Sequence, residues 1–405
     1  MVSHSYWKKR CWGTLGVRVT LFGTPLSDFG SVKDEDRMAS WKDDLLFLKS
    51  SLISQKLSKS LSQTIIPNTS PKATSKIMSQ ALDLSLLKGS PEERDEVSAA
   101  LLDTLKTRGV AKLKNHGLPE DLIAEMFDYT RRFFSLSLED KMTAKHPPEA
   151  NPNRGYSYVG QESVSSISGY EKGLPQGKTI RDIKETLDMG SPHDSLVDNI
   201  WVAEEKLPGF RKFMEDFYES CFKVELEILD ALAQALEISA PDLRLLHNKA
   251  ENEFRLLHYP AVPASALEDG TATRIAEHTD FGTITMLFQD STGGLQVEDQ
   301  TNLGTFHDVV SGGKSEIILN IGDSLQRLTN DTFMAACHRV TYPPTVKVGS
   351  DVVIPERYSV AYFAKPNRIA SLFPLKKFIT PATPCKYEDI TAWDYNNLRI
   401  AKLFS

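Results

Sequence analysis

The sequence predicts an α+β fold, with a helical N-terminal portion, a jelly-roll core and a C-terminal helix. Three observations lead there. Stretches of helical period fill much of the first half of the 405-residue chain. After Glu253, short apolar segments follow one another between Gly, Asp and Pro breaks, the pattern of a sandwich or barrel-like double sheet. The tail "CKYEDITAWDYNNLRIAKLF" returns to helix. Helices first and strands second fit a segregated arrangement around one core.

Taken in order, residues 1–76 read as a loosely ordered N-terminal extension. "MVSHSYWKKRCWGTLGVRVTLFG" is basic and is followed by no acid before Asp28, a faint transit-peptide signature. "SQKLSKSLSQTIIPNTSPKATSKIMS" is rich in Ser, Thr and Lys, as linkers are. The extension reading is preferred to targeting. The remainder divides into a helical region, 77–250, and a β-rich core, 251–405.

"ALDLSLL" opens the ordered part as a short strand. A helix follows, with Ser90 as N-cap, Pro91 in the first turn and Gly109 as the stop. "VAKLKNHG" alternates like a strand and ends in a turn shaped by His116 and Gly117. "PEDLIAEMFDYTRRFFSLSLEDK" is helical in period. A further helix is expected over 208–236, where Phe213, Phe217, Leu226, Leu229 and Leu232 recur on one face. The strand candidates beyond it include "FRLLHYPAV", "TITMLFQD", "GLQVED", "FHDVV", "EIILNIGD", "AACHRVTYPP" and "RYSVAYFAKP".

Bulk properties narrow the function classes. A composition of 40% hydrophobic and 25% charged residues is that of a globular protein. The net charge of −7, with no long basic run, speaks against a nucleic-acid partner. No apolar stretch approaches a membrane span. Cys11, Cys221, Cys337 and Cys385 are far apart, which reads as reduced thiols in a cytoplasmic protein. Cys337 precedes His338 and reads as a small apolar residue, with a reactive thiol as the alternative. A monomer acting on a small molecule is expected.

The chemistry concentrates in "AEHTDFGTITML". His278 and Asp280 stand two apart at the entry to a strand, so both can grip one ion. His338, within an alternating apolar segment, supplies a third ligand from a distant strand. Two imidazoles and a carboxylate on one face of an octahedron leave three positions open, the arrangement of non-haem Fe(II) oxygenases. Downstream, "RYSVAYF" places Arg357 and Ser359 on one face of a strand. A buried guanidinium is costly without an anion, and a small dicarboxylate anchored on the iron would supply one. Tyr259 in "LLHYP" adds a hydrogen bond there or packs in the core; His258 reads as structural. Phe281 and Phe363 are candidates for an apolar substrate wall, and Arg154 and Tyr156 for the pocket mouth, with core packing the alternative for each.

These residues carry a resemblance. The H-x-D…H…R-x-S pattern at His278, Asp280, His338, Arg357 and Ser359 resembles the iron- and 2-oxoglutarate-dependent dioxygenases of the isopenicillin N synthase-like family. "KNHGLP", "RRFFSLSLEDK", "NRGYSYVGQE", "DIKETLDMG", "GGLQVED" and "LNIGDSLQRLTND" are similar to that family's segments in the same order, over about residues 82–405. The resemblance implies a double-stranded β-helix (jelly-roll) core, with Fe(II), 2-oxoglutarate and dioxygen as cofactor and co-substrates. It implies hydroxylation, desaturation or ring formation on a small organic molecule in specialised metabolism. Plant members often carry Asn where this chain has Leu257, so that contact is missing. "TYPPTVKVGSDVVIPE" makes a long connection between His338 and Arg357, a surface loop or a cover for the substrate. The rival readings are an oxidase of the same fold that dispenses with 2-oxoglutarate, a non-catalytic binding protein, and a zinc hydrolase. The last leaves Arg357 unexplained.

Overall fold

The computed structural model describes residues 80–148, 153–167, 180–267, 272–313, 315–346 and 352–403. The expectation for residues 1–76 lies outside them. Contacts group Pro71–Ser405 into one unit, which holds all the described elements.

Local signals in the sequence set the first elements. The helix Pro91–Arg108 starts on a reciprocal cap: the Ser90 hydroxyl accepts from Glu93 N, and the Glu93 carboxylate accepts from Ser90 N at 2.8 Å. Gly109 closes it at φ +73°, a left-handed conformation that glycine adopts without penalty. The strand Val110–Lys114 follows, then the helix Glu120–Phe134. The long helix runs from Phe210 to Ala235, two residues inside its expected start. Of its predicted core face, Phe217, Leu229 and Leu232 are fully buried, while Phe213 and Leu226 sit at the margin.

Two sheets enclose the core. The major sheet has eight strands in the order Leu82–Asp83, Val110–Lys114, Ile317–Ile321, Ile284–Gln289, Arg357–Ala364, Glu253–Tyr259, Glu185–Gly190 and Gly155–Ser157. Four of these precede residue 250, so the N-terminal half is not only helical: it contributes half the strands of the sheet that carries Arg357 and Ser359. The facing sheet has four strands, Phe306–Asp308, Leu295–Glu298, His338–Val340 and Ile275–His278, in that order. "LNIGDSLQRLTND" is a strand only to Ile321; Asp323–Leu328 is a helix.

The two-residue period of the major sheet divides its labour. Phe254 and Leu256, Ile284, Met286 and Phe288, and Val360 and Tyr362 point to one side and pack in the cluster that includes the long helix. Phe217 of that helix lies 5.7 Å, ring to ring, from both Phe254 and Phe288. The alternate residues, Arg255, Leu257 and Tyr259, Thr285 and Leu287, and Arg357, Ser359, Ala361 and Phe363, face a cavity between the sheets. The connection after His338 carries Val353–Ile354, which pairs with Val262–Pro263, and none of its described residues beyond Val340 lines the cavity. No helix among the described residues is long and apolar enough to cross a membrane. The helix Ala392–Leu403 ends the described chain.

Candidate active site

Backbone register brings the two histidines together. His338 opens its strand directly opposite His278 in the antiparallel pair, and their rings lie 4.3 Å apart. Asp280 sits just past the end of the His278 strand, with its Oδ1 3.8 Å from Nε2 of each histidine. One ligand atom from each of the three lies within 4.8 Å of the others. Separations of this size leave room for one ion held by all three atoms at ordinary bond lengths.

The surroundings orient all three groups for that task. Nδ1 of His278 donates to the carbonyl of Ala276 at 2.8 Å, and Nδ1 of His338 to that of Ala336 at 2.9 Å. Each Nε2 lone pair is thereby turned toward the gap. On Asp280, Oδ2 accepts from Thr285 Oγ1 at 2.7 Å and from Asn320 Nδ2 at 2.8 Å, which leaves Oδ1 for an ion. Burial pushes the Asp280 carboxyl up, but His338, His278, Asn320 and Thr285 outweigh it and hold it below the ordinary carboxylate range. Burial, then His338, pushes His278 down, so its imidazole is neutral and able to ligate.

The turn carrying Asp280 is clamped by backbone. Asp323 N donates to Asp280 O at 2.7 Å and Ser324 N to Gly282 O at 3.0 Å. A Cβ on Gly322 would lie 2.3 Å from Gly282 O and 2.9 Å from Asp280 O, so the approach requires glycine there.

One end of the cavity is built around Arg357. This guanidinium is fully buried, donates from Nη1 to Ser359 Oγ and from Nη2 to Gln289 Oε1, both at 2.9 Å, and keeps Nε without a partner. Its Cζ lies 4.9 Å from the centroid of the Tyr259 ring. Among the described residues no carboxylate pairs with it, so a buried positive charge faces the cavity with donor capacity to spare. A carboxylate reaching from the metal would satisfy it, and the donor set fits both Fe(II) and 2-oxoglutarate.

At Lys365, just past the far end of the Arg357 strand, the lining turns polar again. Lys365 Nζ lies 2.5 Å from Glu253 Oε2 and 2.7 Å from Asn396 Oδ1. Arg255 pairs with Asp188 at 2.6 Å and Glu162 at 2.9 Å. Asn153 lies at the same cavity. Between the two polar ends the walls are apolar, from Val164, Ile167, Leu257, Ile275, Leu295, Val297, Ile318 and Val340.

Phe281 and Phe363 both line the cavity, next to Asp280 and Lys365 respectively. Tyr156 does not reach it. Its hydroxyl donates to Glu185, its ring lies 6.1 Å from that of Phe133, and it is buried in the core on the helix side. Arg154 is also diverted: it pairs with Asp194 at 3.0 Å and lines a smaller neighbouring cavity that Phe281 and Lys365 also reach. The residue that enters from this stretch is Asn153. His258 faces away from the cavity, bonded to Glu185 at 2.7 Å and stacked on Tyr358. His116 braces its turn through Ser315 O at 2.7 Å. Asn320, Thr285 and Gln289 escaped sequence reading, although their alternation with Ile318 and Leu287 places them on cavity-facing sides of their strands.

Comparison with known proteins agrees with this geometry. Residues 250–366 match the 2OG-Fe(II) oxygenase superfamily, and residues 80–204 match the N-terminal region described as non-haem dioxygenase in morphine synthesis. The chain is 45% identical over 312 residues to the 2-oxoglutarate-Fe(II) type oxidoreductase ppzD of Metarhizium rileyi, covering 77% of this chain and 87% of that one. It is 44% identical over 319 residues to the proline hydroxylase buaE of Petromyces alliaceus, covering 78% and 97%. Among solved structures, a full-length Neurospora crassa protein in complex with alpha-KG and thymine superposes with a TM-score of 0.70 at 33% identity, over 79% of this chain and 96% of that one. The first relative carries 2-oxoglutarate in its name and the solved structure holds alpha-KG, which favours the 2-oxoglutarate-dependent reading over an oxidase without it. The chain belongs to the 2OG-Fe(II) oxygenase superfamily and is a non-haem Fe(II) dioxygenase that uses 2-oxoglutarate and dioxygen.

Proposed function

We propose that His278, Asp280 and His338 hold the Fe(II), that Arg357, Ser359 and Tyr259 receive the far carboxylate of 2-oxoglutarate, and that the substrate occupies the opposite end. The observation that carries this is the buried Arg357, without an acid partner among the described residues, in the same cavity as the three ligand groups. When bound, Fe(II) with 2-oxoglutarate and dioxygen supplies an oxidant strong enough to take hydrogen from an unactivated carbon, with release of succinate and carbon dioxide. The chain's own part is positional. Asn320 and Thr285 fix the carboxylate of Asp280, the Ala276 and Ala336 carbonyls fix the two imidazoles, and the apolar walls exclude water from the reacting carbon.

The substrate is a small organic molecule with an apolar body and a charged or strongly polar head. The head lies by Glu253, Arg255, Lys365 and Asn153, and the body against Phe281 and Phe363. An amino acid or a short amino-acid derivative has this shape, and the name of one relative, a proline hydroxylase, agrees with it. The product belongs to specialised metabolism, formed by hydroxylation, desaturation or ring formation. The enzyme acts as a cytoplasmic monomer with no nucleic-acid or membrane partner: the three proposed metal ligands come from one chain, and Cys221 and Cys385 are free thiols.

The test is succinate release above the uncoupled background, across a panel of cyclic and acyclic amino acids, their amides, and apolar compounds of equal size. The expected result is stimulation confined to compounds with the polar head, and a product altered on the apolar body. Stimulation by the apolar compounds alone would contradict it.

A further inference from the structure

Arg274 stands between the short strand Ala272–Thr273 and the strand Ile275–His278, which ends on the first metal ligand. Its side chain is fully buried. Among the described residues, one hydrogen bond holds its side chain, from Nη2 to the carbonyl of Pro355, while Nε and Nη1 have no partner. Pro355 belongs to the long connection between His338 and Arg357, so that connection anchors a charge beside the site.

Arg274 and Arg357 share an aromatic ring. The Cζ of Arg274 lies 6.0 Å from the Tyr259 centroid and that of Arg357 lies 4.9 Å from it. Neither arginine makes an ion pair with a carboxylate among the described residues. Asp290 favours the charged form of Arg274 through space, but its carboxylate already accepts from Thr292 N at 2.9 Å and Tyr358 N at 2.6 Å. Burial, then the charge of Arg357, pushes Arg274 down to about 10, so it remains charged at neutral pH. Two like charges, both buried and both with idle donors, are unfavourable for the fold alone. An anion held at Arg357 would offset that repulsion.

We propose that Arg274 is a specificity-determining residue of the co-substrate end, which with Arg357 and Tyr259 forms a two-arginine field selecting a keto acid with a second carboxylate. Arg357 faces the cavity and meets the anion; Arg274 does not line the cavity and acts through Tyr259 and by its charge, as a positioning residue. This deepens, and rests on, the assignment of Arg357 to 2-oxoglutarate. A residue with a merely structural role would affect all keto acids alike.

The experiment is anaerobic calorimetric binding of 2-oxoglutarate and of 2-oxobutyrate, which lacks the second carboxylate, to the Fe(II)-loaded protein. Wild type, Arg274→Gln, Arg274→Lys and Arg357→Gln are compared, with the melting temperature of each recorded without keto acid. Arg274→Gln is expected to weaken 2-oxoglutarate about tenfold while leaving 2-oxobutyrate within about twofold. Arg274→Lys is expected to recover most of the loss. The melting temperature of Arg274→Gln is expected to hold or rise, because a like charge has gone. Equal weakening of both keto acids overturns the proposal, and so does a Gln variant that melts early or does not fold. Unchanged 2-oxoglutarate binding in Arg274→Gln, with Arg357→Gln impaired, overturns it while sparing the Arg357 assignment. Unchanged binding in Arg357→Gln removes that assignment and the proposal with it.

Discussion

Asn320 Nδ2 donates to Oδ2 of Asp280 at 2.8 Å, from a strand of the major sheet to the turn that leaves the other sheet. The bond leaves Oδ1 between the two histidine Nε2 atoms and ties the Asp280 carboxylate to a rigid strand. Replacing Asn320 by Leu removes one of two donors and sets an apolar group against a carboxylate oxygen. Loss of such a supporting contact typically costs about 10–100-fold in metal affinity. Iron titration of the variant is expected to show a shift in that range, with the melting temperature little changed. Wild-type iron affinity would mean that Thr285 alone suffices.

Glu225 gives the fold a pH dependence independent of the site. Its carboxyl is fully buried on the long helix, where Oε2 accepts from Asn252 Nδ2 at 2.6 Å and Tyr362 Oη at 2.8 Å. Burial pushes it up to about 8 despite those donors. The folded state therefore holds a proton that the unfolded chain releases in the ordinary carboxylate range. Its contribution to stability is full below that range, falls as pH rises and is gone above about 8. The slope reaches at most about 1.4 kcal/mol per pH unit. Denaturant titrations at about pH 5 to 8 are expected to show wild type losing stability with rising pH, and Glu225→Gln losing less. Parallel curves would contradict the assignment.

All proposed site residues lie between Asn153 and Lys365, and the regions shared with relatives begin at residue 80. A chain beginning at residue 77 is accordingly expected to release succinate with the same half-saturation for 2-oxoglutarate as the full chain. Insoluble or inactive protein would assign residues 1–76 a part in the enzyme.

Much of the site was legible because its chemistry is local in sequence. His278 and Asp280 share a strand end, Arg357 and Ser359 share a strand face, and alternation alone aims each pair inward. His338 could be placed because an alternating apolar segment around a histidine implies a strand. Tyr156 stood open between the pocket mouth and core packing, because a short segment does not tell which strand face meets the helices; the packing against Phe133 puts it in the core. Of the four strands before residue 250, Leu82–Asp83 and Val110–Lys114 were legible, but Gly155–Ser157 and Glu185–Gly190 were obscured by brevity, since three-residue and six-residue segments carry little periodicity. Arg274 was hidden because its meaning lies in a carboxylate it lacks, and a missing partner leaves no mark in the sequence.

In the proposed site, Fe(II) on the two histidines and the aspartate works with a 2-oxoglutarate whose far carboxylate rests on Arg357. Titrating 2-oxoglutarate against succinate release, under saturating iron, tests it most directly in Arg357→Leu. Removing one partner of a buried charged pair costs about 3–5 kcal/mol. At about 1.4 kcal/mol per tenfold, the half-saturation is predicted to rise by about a hundredfold or more, with iron binding intact. An unchanged half-saturation would place the anion elsewhere and contradict the account.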